Sequence, residues 1–117
     1  MYTLCIRYVL DPNRSGHFRT YVENEQPVIE RSGGRIVGYW TPTDFAGPNH
    51  IGYGLIDFAT LAEYEKYRKT LAEDPEHQRN AEALERSGAV VSLERSFIAP
   101  SHRPAHAPET SQTPGRE

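Results

Sequence analysis

GPNHIGYGLIDFATLAEYEKYRKTLAEDP, residues 47–75, decides the fold. It reads as a strand, a one-turn connection and a helix. His50 to Phe58 mixes β-branched, aromatic and glycine residues after the turn formers Gly47-Pro48-Asn49. By the strand period of two, Ile51, Tyr53, Leu55 and Asp57 share one face, and His50, Gly52, Gly54, Ile56 and Phe58 share the other. Neither set is plainly polar, which predicts that both faces are covered. Two glycines inside one strand weaken it and point to a bulge or to close approach of a backbone or ligand. Thr60-Leu61-Ala62-Glu63 then forms a capping box, with the Thr60 hydroxyl facing the Glu63 N–H. Leu61, Tyr64, Tyr67, Arg68 and Leu71 recur at helical spacing and predict an amphipathic helix. Asp74-Pro75 ends that helix and starts another, with Asp74 as the cap and Pro75 at the first helical position.

Working outward, Tyr2 to Leu10 is a strand with an unbroken apolar face of Tyr2, Leu4, Ile6, Tyr8 and Leu10. Asp11-Pro12-Asn13 closes it in a turn. Arg14 to about Arg31 reads as a helix whose buried side is Phe18, Tyr21, Val22, Val28 and Ile29. Pro27 is expected to kink or split it, because proline lacks an N–H and clashes with the preceding turn. Ser32-Gly33-Gly34 supplies the glycine stop. Arg35 to Thr41 is a second strand, with Ile36, Gly38 and Trp40 on one face and Val37 and Tyr39 on the other. Gly88 caps the last helix, and Val90 to Ala99 is the fourth strand. The order is β-α-β-β-α-β, an α+β, ferredoxin-like arrangement: a four-stranded antiparallel sheet with helices on one face. The other face still carries apolar residues, so a homodimer packing two sheets together is expected.

The 117 residues make one domain of ordinary size. Residues 1–100 form it. From Pro100 the chain is polar and proline-rich without periodicity, so residues 101–117 are expected to be a disordered tail, unless that tail crosses onto a partner subunit. A net charge of −3 gives no reason to expect nucleic acid or a membrane surface as partner. The single cysteine, Cys5, leaves no internal disulfide and no cysteine-based metal site. No apolar run approaches a membrane span and no signal-peptide pattern opens the chain, so a cytoplasmic protein is the expectation.

The chain resembles the NIPSNAP family of the dimeric α/β-barrel superfamily from Tyr2 to about Pro100. The resemblance is carried by Gly34-Arg35-Ile36-Val37-Gly38-Tyr39-Trp40, the Gly47-Pro48-Asn49 turn, Leu61-Ala62-Glu63-Tyr64 with Tyr67-Arg68, Leu71 and Asp74-Pro75, and Glu94-Arg95-Ser96-Phe97. It implies a dimeric α/β barrel with a pocket between sheet and helices. The superfamily includes cofactor-independent monooxygenases acting on polyketide-like aromatics, haem-degrading enzymes and small isomerases.

The residues themselves offer a short list of candidates. His50 could act as a base toward a phenol or a β-dicarbonyl, or be a loop-end histidine bonded to backbone. Arg7, in the middle of the first strand, is either a structural ion pair with Glu94 or Asp57 or a clamp for an oxyanion. Trp40 and Tyr53 are the candidate aromatic walls, with Tyr39 and His17 completing the substrate-binding set. Tyr53 shares no face with His50 unless a bulge at Gly52 re-aims it. His77, in the first turn of the last helix, reads as exposed. No metal and no cofactor is called for, since no two histidines of an ordered segment have a short ligand spacing. Two functions remain: a small enzyme acting on an aromatic or polyketide-like metabolite, and a non-catalytic dimer that binds a small molecule or a protein partner. No phosphate loop, nucleophile elbow or Cys/His dyad separates them.

Overall fold

The computed structural model describes residues 1–101, and the rest of the tail read as disordered lies outside the described residues. The elements are β1 (Tyr2–Leu10), a 3-10 turn (Pro12–Arg14), α1 (Ser15–Arg31), β2 (Arg35–Trp40), β3 (Ile51–Phe58), α2 (Leu61–Glu73), α3 (Pro75–Ser87) and β4 (Val90–Ile98). The strands lie in the order β2-β3-β1-β4, and every neighbouring pair is antiparallel. This is the ferredoxin-like α+β arrangement that the element order predicts. No helix among the described residues is long and apolar enough to cross a membrane.

Alternation along β1 and β3 divides the sheet into two unlike faces. Tyr8 pairs with Gly52, Ile6 with Gly54 and Leu4 with Ile56, and all six are buried beneath the helices. Phe18 of α1 and Tyr67 of α2 close over them. Full burial of a side chain such as Phe18 contributes about 2–3 kcal/mol. Thr3, Cys5, Arg7 and Val9 occupy the opposite, open face, where Arg7 sits directly across from Tyr53 on one side and Glu94 on the other.

The two glycines of β3 do not leave a void. A Cβ on Gly54 would lie 2.5 Å from Cε1 of Tyr39, whose ring fills that space. A Cβ on Gly52 would lie 3.1 Å from the Trp40 carbonyl oxygen and 3.2 Å from Cδ1 of Leu10. Nor does Gly52 bulge: the β1–β3 register runs unshifted from Tyr2 to Val9. The irregularity falls instead in β2, between Ile36 and Gly38. It reverses the alternation there, so Ile36 and Tyr39 both face the helices while Trp40 pairs with Tyr53 on the open face.

The helix boundaries follow their caps. Thr60 Oγ1 accepts the Glu63 N–H at 3.1 Å. Asp74 Oδ1 accepts the N–H of Glu76 at 2.9 Å and of His77 at 3.3 Å. Gly88 ends α3 in the left-handed region, at φ 71°. Pro27 does not split α1, which runs as one helix. The residue is exposed, so water can serve the carbonyl that its missing N–H leaves free.

Arg31 at the end of α1 clamps the α2–α3 junction. Its Nη2 lies 2.9 Å from Asp74 Oδ2 and 3.0 Å from Glu76 Oε1. Desolvation pushes the Asp74 carboxyl up, but the hydrogen bonds from Arg31 and from the His77 and Glu76 N–H groups hold it below its ordinary value. The clamp and the cap together fix where α3 starts over α1.

Gly54→Ala forces a methyl into the Tyr39 ring. It is expected to destabilise the fold by about 1–3 kcal/mol, the usual cost of overpacking, measured by denaturant unfolding. An unchanged midpoint would show that the ring moves aside freely.

Candidate functional site

Phe18, Val22, Glu25 and Ile29 form one stripe of α1, at the spacing that faces a helix toward a core. A glutamate in that stripe has to be buried, and its side chain is 1% exposed. Burial of a carboxylate is costly unless it is hydrogen-bonded and paired. Both oxygens are met from α3. Asn80 Nδ2 donates to Oε1 at 3.0 Å, and His77 Nδ1 bonds Oε2. Asn80 Nδ2 also lies 3.3 Å from the Asn24 carbonyl oxygen, tying the same two helices together. An ionised carboxylate only accepts, so toward an ionised Glu25 it is His77 Nδ1 that donates. In the neutral imidazole Nε2 is then left with its lone pair.

His77 and Glu25 border a cavity of about 430 Å³ between the helix face of the sheet and all three helices. Ile6, Ile56, Leu71 and Leu84 give it apolar walls, and Tyr8, Tyr21, Tyr39 and Tyr67 line it with phenols. The size and the mix of apolar wall with few polar groups fit a small-molecule site. Tyr8 packs on Phe18 with ring centroids 4.7 Å apart and lies 6.4 Å from the Tyr39 ring. Burial pushes the Tyr8 phenol up to about 12, against the opposing pull of its hydrogen bond with Tyr39 and the charge of Arg95. Burial likewise raises Tyr21, Tyr39 and Tyr67 above the ordinary phenol value. At neutral pH the four are therefore uncharged O–H groups able to donate. Arg68 from α2 and Arg95 from β4 also line the cavity.

Of the residues singled out from the sequence, the fold brings Tyr39 into this cavity. His17 lines a separate space of about 80 Å³ with Tyr21, Asn24 and Asn80. His50 does neither. It lies exposed in the turn before β3, where its carbonyl oxygen accepts the Leu10 N–H at 2.7 Å, so strand parity does not govern its side chain. Arg7, Trp40 and Tyr53 stand on the open face of the sheet. Trp40 is 49% exposed and Tyr53 41% exposed, and Arg7 Nη1 lies 3.8 Å from Glu94 Oε1. The pocket placed by sequence near His50, Arg7, Trp40 and Tyr53 is thus bordered instead by Glu25, His77 and the four tyrosines. The sequence signal for Glu25 is its place in the apolar stripe of α1. For His77 no sequence signal exists, because a first-turn histidine is exposed unless another helix covers it. Among the described residues no cluster of three or more His, Cys, Asp or Glu is placed to hold a metal.

A family model described as NIPSNAP matches residues 2–103. A solved structure of an uncharacterized NIPSNAP-like domain protein from Burkholderia xenovorans is 27% identical, with 88% of each chain covered and a TM-score of 0.71. A NIPSNAP family protein with unknown function from Agrobacterium tumefaciens str. C58 is 19% identical, with 90% of this chain and 92% of that one covered and a TM-score of 0.77. A putative antibiotic biosynthesis monooxygenase from Nitrosomonas europaea is 7% identical, with coverage of 87% and 100% and a TM-score of 0.65, a likeness of fold alone. None of the curated proteins matches the chain.

The buried phenols make stability fall in alkali. A phenol whose folded pKa is raised keeps its proton in the fold, so its contribution is intact below the ordinary value of 10 and is lost as pH rises through about 12 for Tyr8. Tyrosinate absorbance is expected to appear at higher pH in the folded protein than in the denatured chain, together with unfolding. Coincident titration of the two states would contradict the burial of these phenols.

Proposed function

The chain belongs to the NIPSNAP family, and from that premise we propose that it is a small cofactor-independent enzyme, monooxygenase- or isomerase-like, acting on an aromatic or polyketide-like metabolite. The observation that carries this reading is the Glu25–His77 pair at the edge of an apolar, phenol-lined cavity. Both reaction types begin with loss of a proton from an activated C–H or a phenolic O–H. His77 Nε2 takes that proton, while Glu25 orients the ring through Nδ1 and stabilises the imidazolium. The enolate or phenolate oxygen that results is met by O–H donors from the tyrosines, already oriented by packing. Burial of these phenols makes each of those bonds stronger than it would be in solvent.

From the anion two outcomes follow. Return of the proton from His77 to a different carbon gives the isomer. Reaction of the carbanion with dioxygen converts a CH2 group to C=O and releases the second oxygen atom as water, with no further reductant. The fold likeness to a putative antibiotic biosynthesis monooxygenase supports the second outcome.

The functional unit on this reading is a homodimer. Trp40, Tyr53 and Ile98 leave apolar side chains exposed on the open face of the sheet, around the Arg7–Glu94 pair, and a second copy of that face is the complement this reading gives it.

Oxygen uptake with an anthrone, and proton exchange with an aromatic β-diketone, test the chemistry. His77→Ala is expected to lower turnover about a hundredfold or more, the usual contribution of a positioned base. Turnover that survives in a folded His77→Ala protein removes the base. Binding of these compounds without turnover in the unaltered protein would favour the non-catalytic binding dimer.

Sedimentation at micromolar concentration is expected to show a dimer that Tyr53→Glu converts to monomer by placing charge in the sheet–sheet contact. A monomer in the unaltered protein overturns the assembly.

A further inference from the structure

Tyr64 of α2 and Phe97 of β4 meet edge to face, with ring centroids 4.9 Å apart. One helical turn beyond Tyr64, about 6 Å along the axis, stands Arg68. Two strand residues before Phe97, about 7 Å along β4, stands Arg95. Both side chains line the cavity. Arg95 is placed there by register, since it pairs with Ile6 on the helix face of β1. Arg68 is steadied by its own helix: Nη1 donates to the Tyr64 hydroxyl at 2.9 Å, and the guanidinium lies 5.8 Å from the Tyr64 ring centroid.

Two guanidinium groups, both solvent-exposed, border one apolar cavity and offer their donors to an anion that enters it. Among the described residues neither makes an ion pair. Glu85 of α3 also lines the cavity but does not pair with either. Glu25, the other acid there, is already occupied by His77 and Asn80. The charge of Arg95 nevertheless acts inside the cavity, where it pulls against the rise that burial imposes on Tyr8, Tyr21 and Tyr67. A guanidinium fork suits a planar, two-oxygen anion, and the apolar walls suit a ring attached to it.

We propose that the ligand of this cavity is an aromatic carboxylate whose acid group is bound by Arg68 and Arg95 at the mouth, leaving the ring against the tyrosines and within reach of His77. This rests on reading the cavity as the substrate site. It adds what that reading leaves open, namely that the substrate is anionic before any proton is removed and that its orientation is set by charge.

Sodium 2-naphthoate and its methyl ester are matched probes, titrated calorimetrically against the full chain. Naphthoate is expected to bind about tenfold or more tightly than the ester, as charge-assisted hydrogen bonds to two arginines require. Arg95→Gln is expected to remove most of that preference while leaving the ester's affinity unchanged, and Arg68→Gln to reduce it independently. His77→Gln is expected to keep the preference, so loss of turnover in that variant with binding intact separates base from anchor. Equal affinity for acid and ester, a preference that survives both arginine substitutions, or no binding of either probe overturns the proposal. A preserved acid preference together with normal turnover in His77→Gln overturns only the role of the base.

Discussion

Glu25 is the constraint on which the rest of the helical layer depends. Its place on α1 drives it inward with Phe18, Val22 and Ile29, and a carboxylate there is tolerable only with partners on both oxygens. Removing one partner of a buried pair of this kind costs several kcal/mol, because the remaining charge is stranded. The two partners, His77 and Asn80, are one turn apart on α3. A single residue of α1 therefore sets the rotation and height of another helix. The Asp74 cap and the Arg31 clamp act toward the same end, fixing the residue at which α3 begins.

The same polar groups border the space between helices and sheet, together with the four tyrosines. An apolar residue at position 25 would remove the hydrogen-bond partner of His77. On the proposed reading, stability and chemistry draw on the same contact, and the site sits on helices and strands.

The sheet shows how the remaining residues were assigned their sides. In β1 the alternation of Leu4, Ile6, Tyr8 and Leu10 is strict, and the fold follows it without exception. In β2 a one-residue irregularity near Val37 breaks the alternation, which is why Tyr39 reaches the cavity while Trp40 faces outward. The glycines of β3 are explained by that outcome, since Gly54 exists to accommodate the Tyr39 ring. Pattern alone pointed to a bulge or to close approach of a backbone or ligand, because a missing side chain does not reveal which neighbour occupies its volume.

What the sequence by itself determined is local. The strand periods of β1 and β3, the Thr60 and Asp74 caps, the Gly88 stop and the β-α-β-β-α-β order all rest on interactions within a few residues of one another, and those are written in consecutive letters. The motifs around Gly34–Trp40 and Leu61–Pro75 likewise carried the family. The site was decided by tertiary structure. Glu25 and His77 are separated by 52 residues, and neither has a neighbour in sequence that signals the other. Only the packing of α1 against α3 turns a first-turn histidine and a stripe glutamate into a hydrogen-bonded pair. Arg7 lies within β1 and His50 in the turn before β3, but which face of the sheet the helices cover, and so which residues border a cavity, is acquired only when the chain folds.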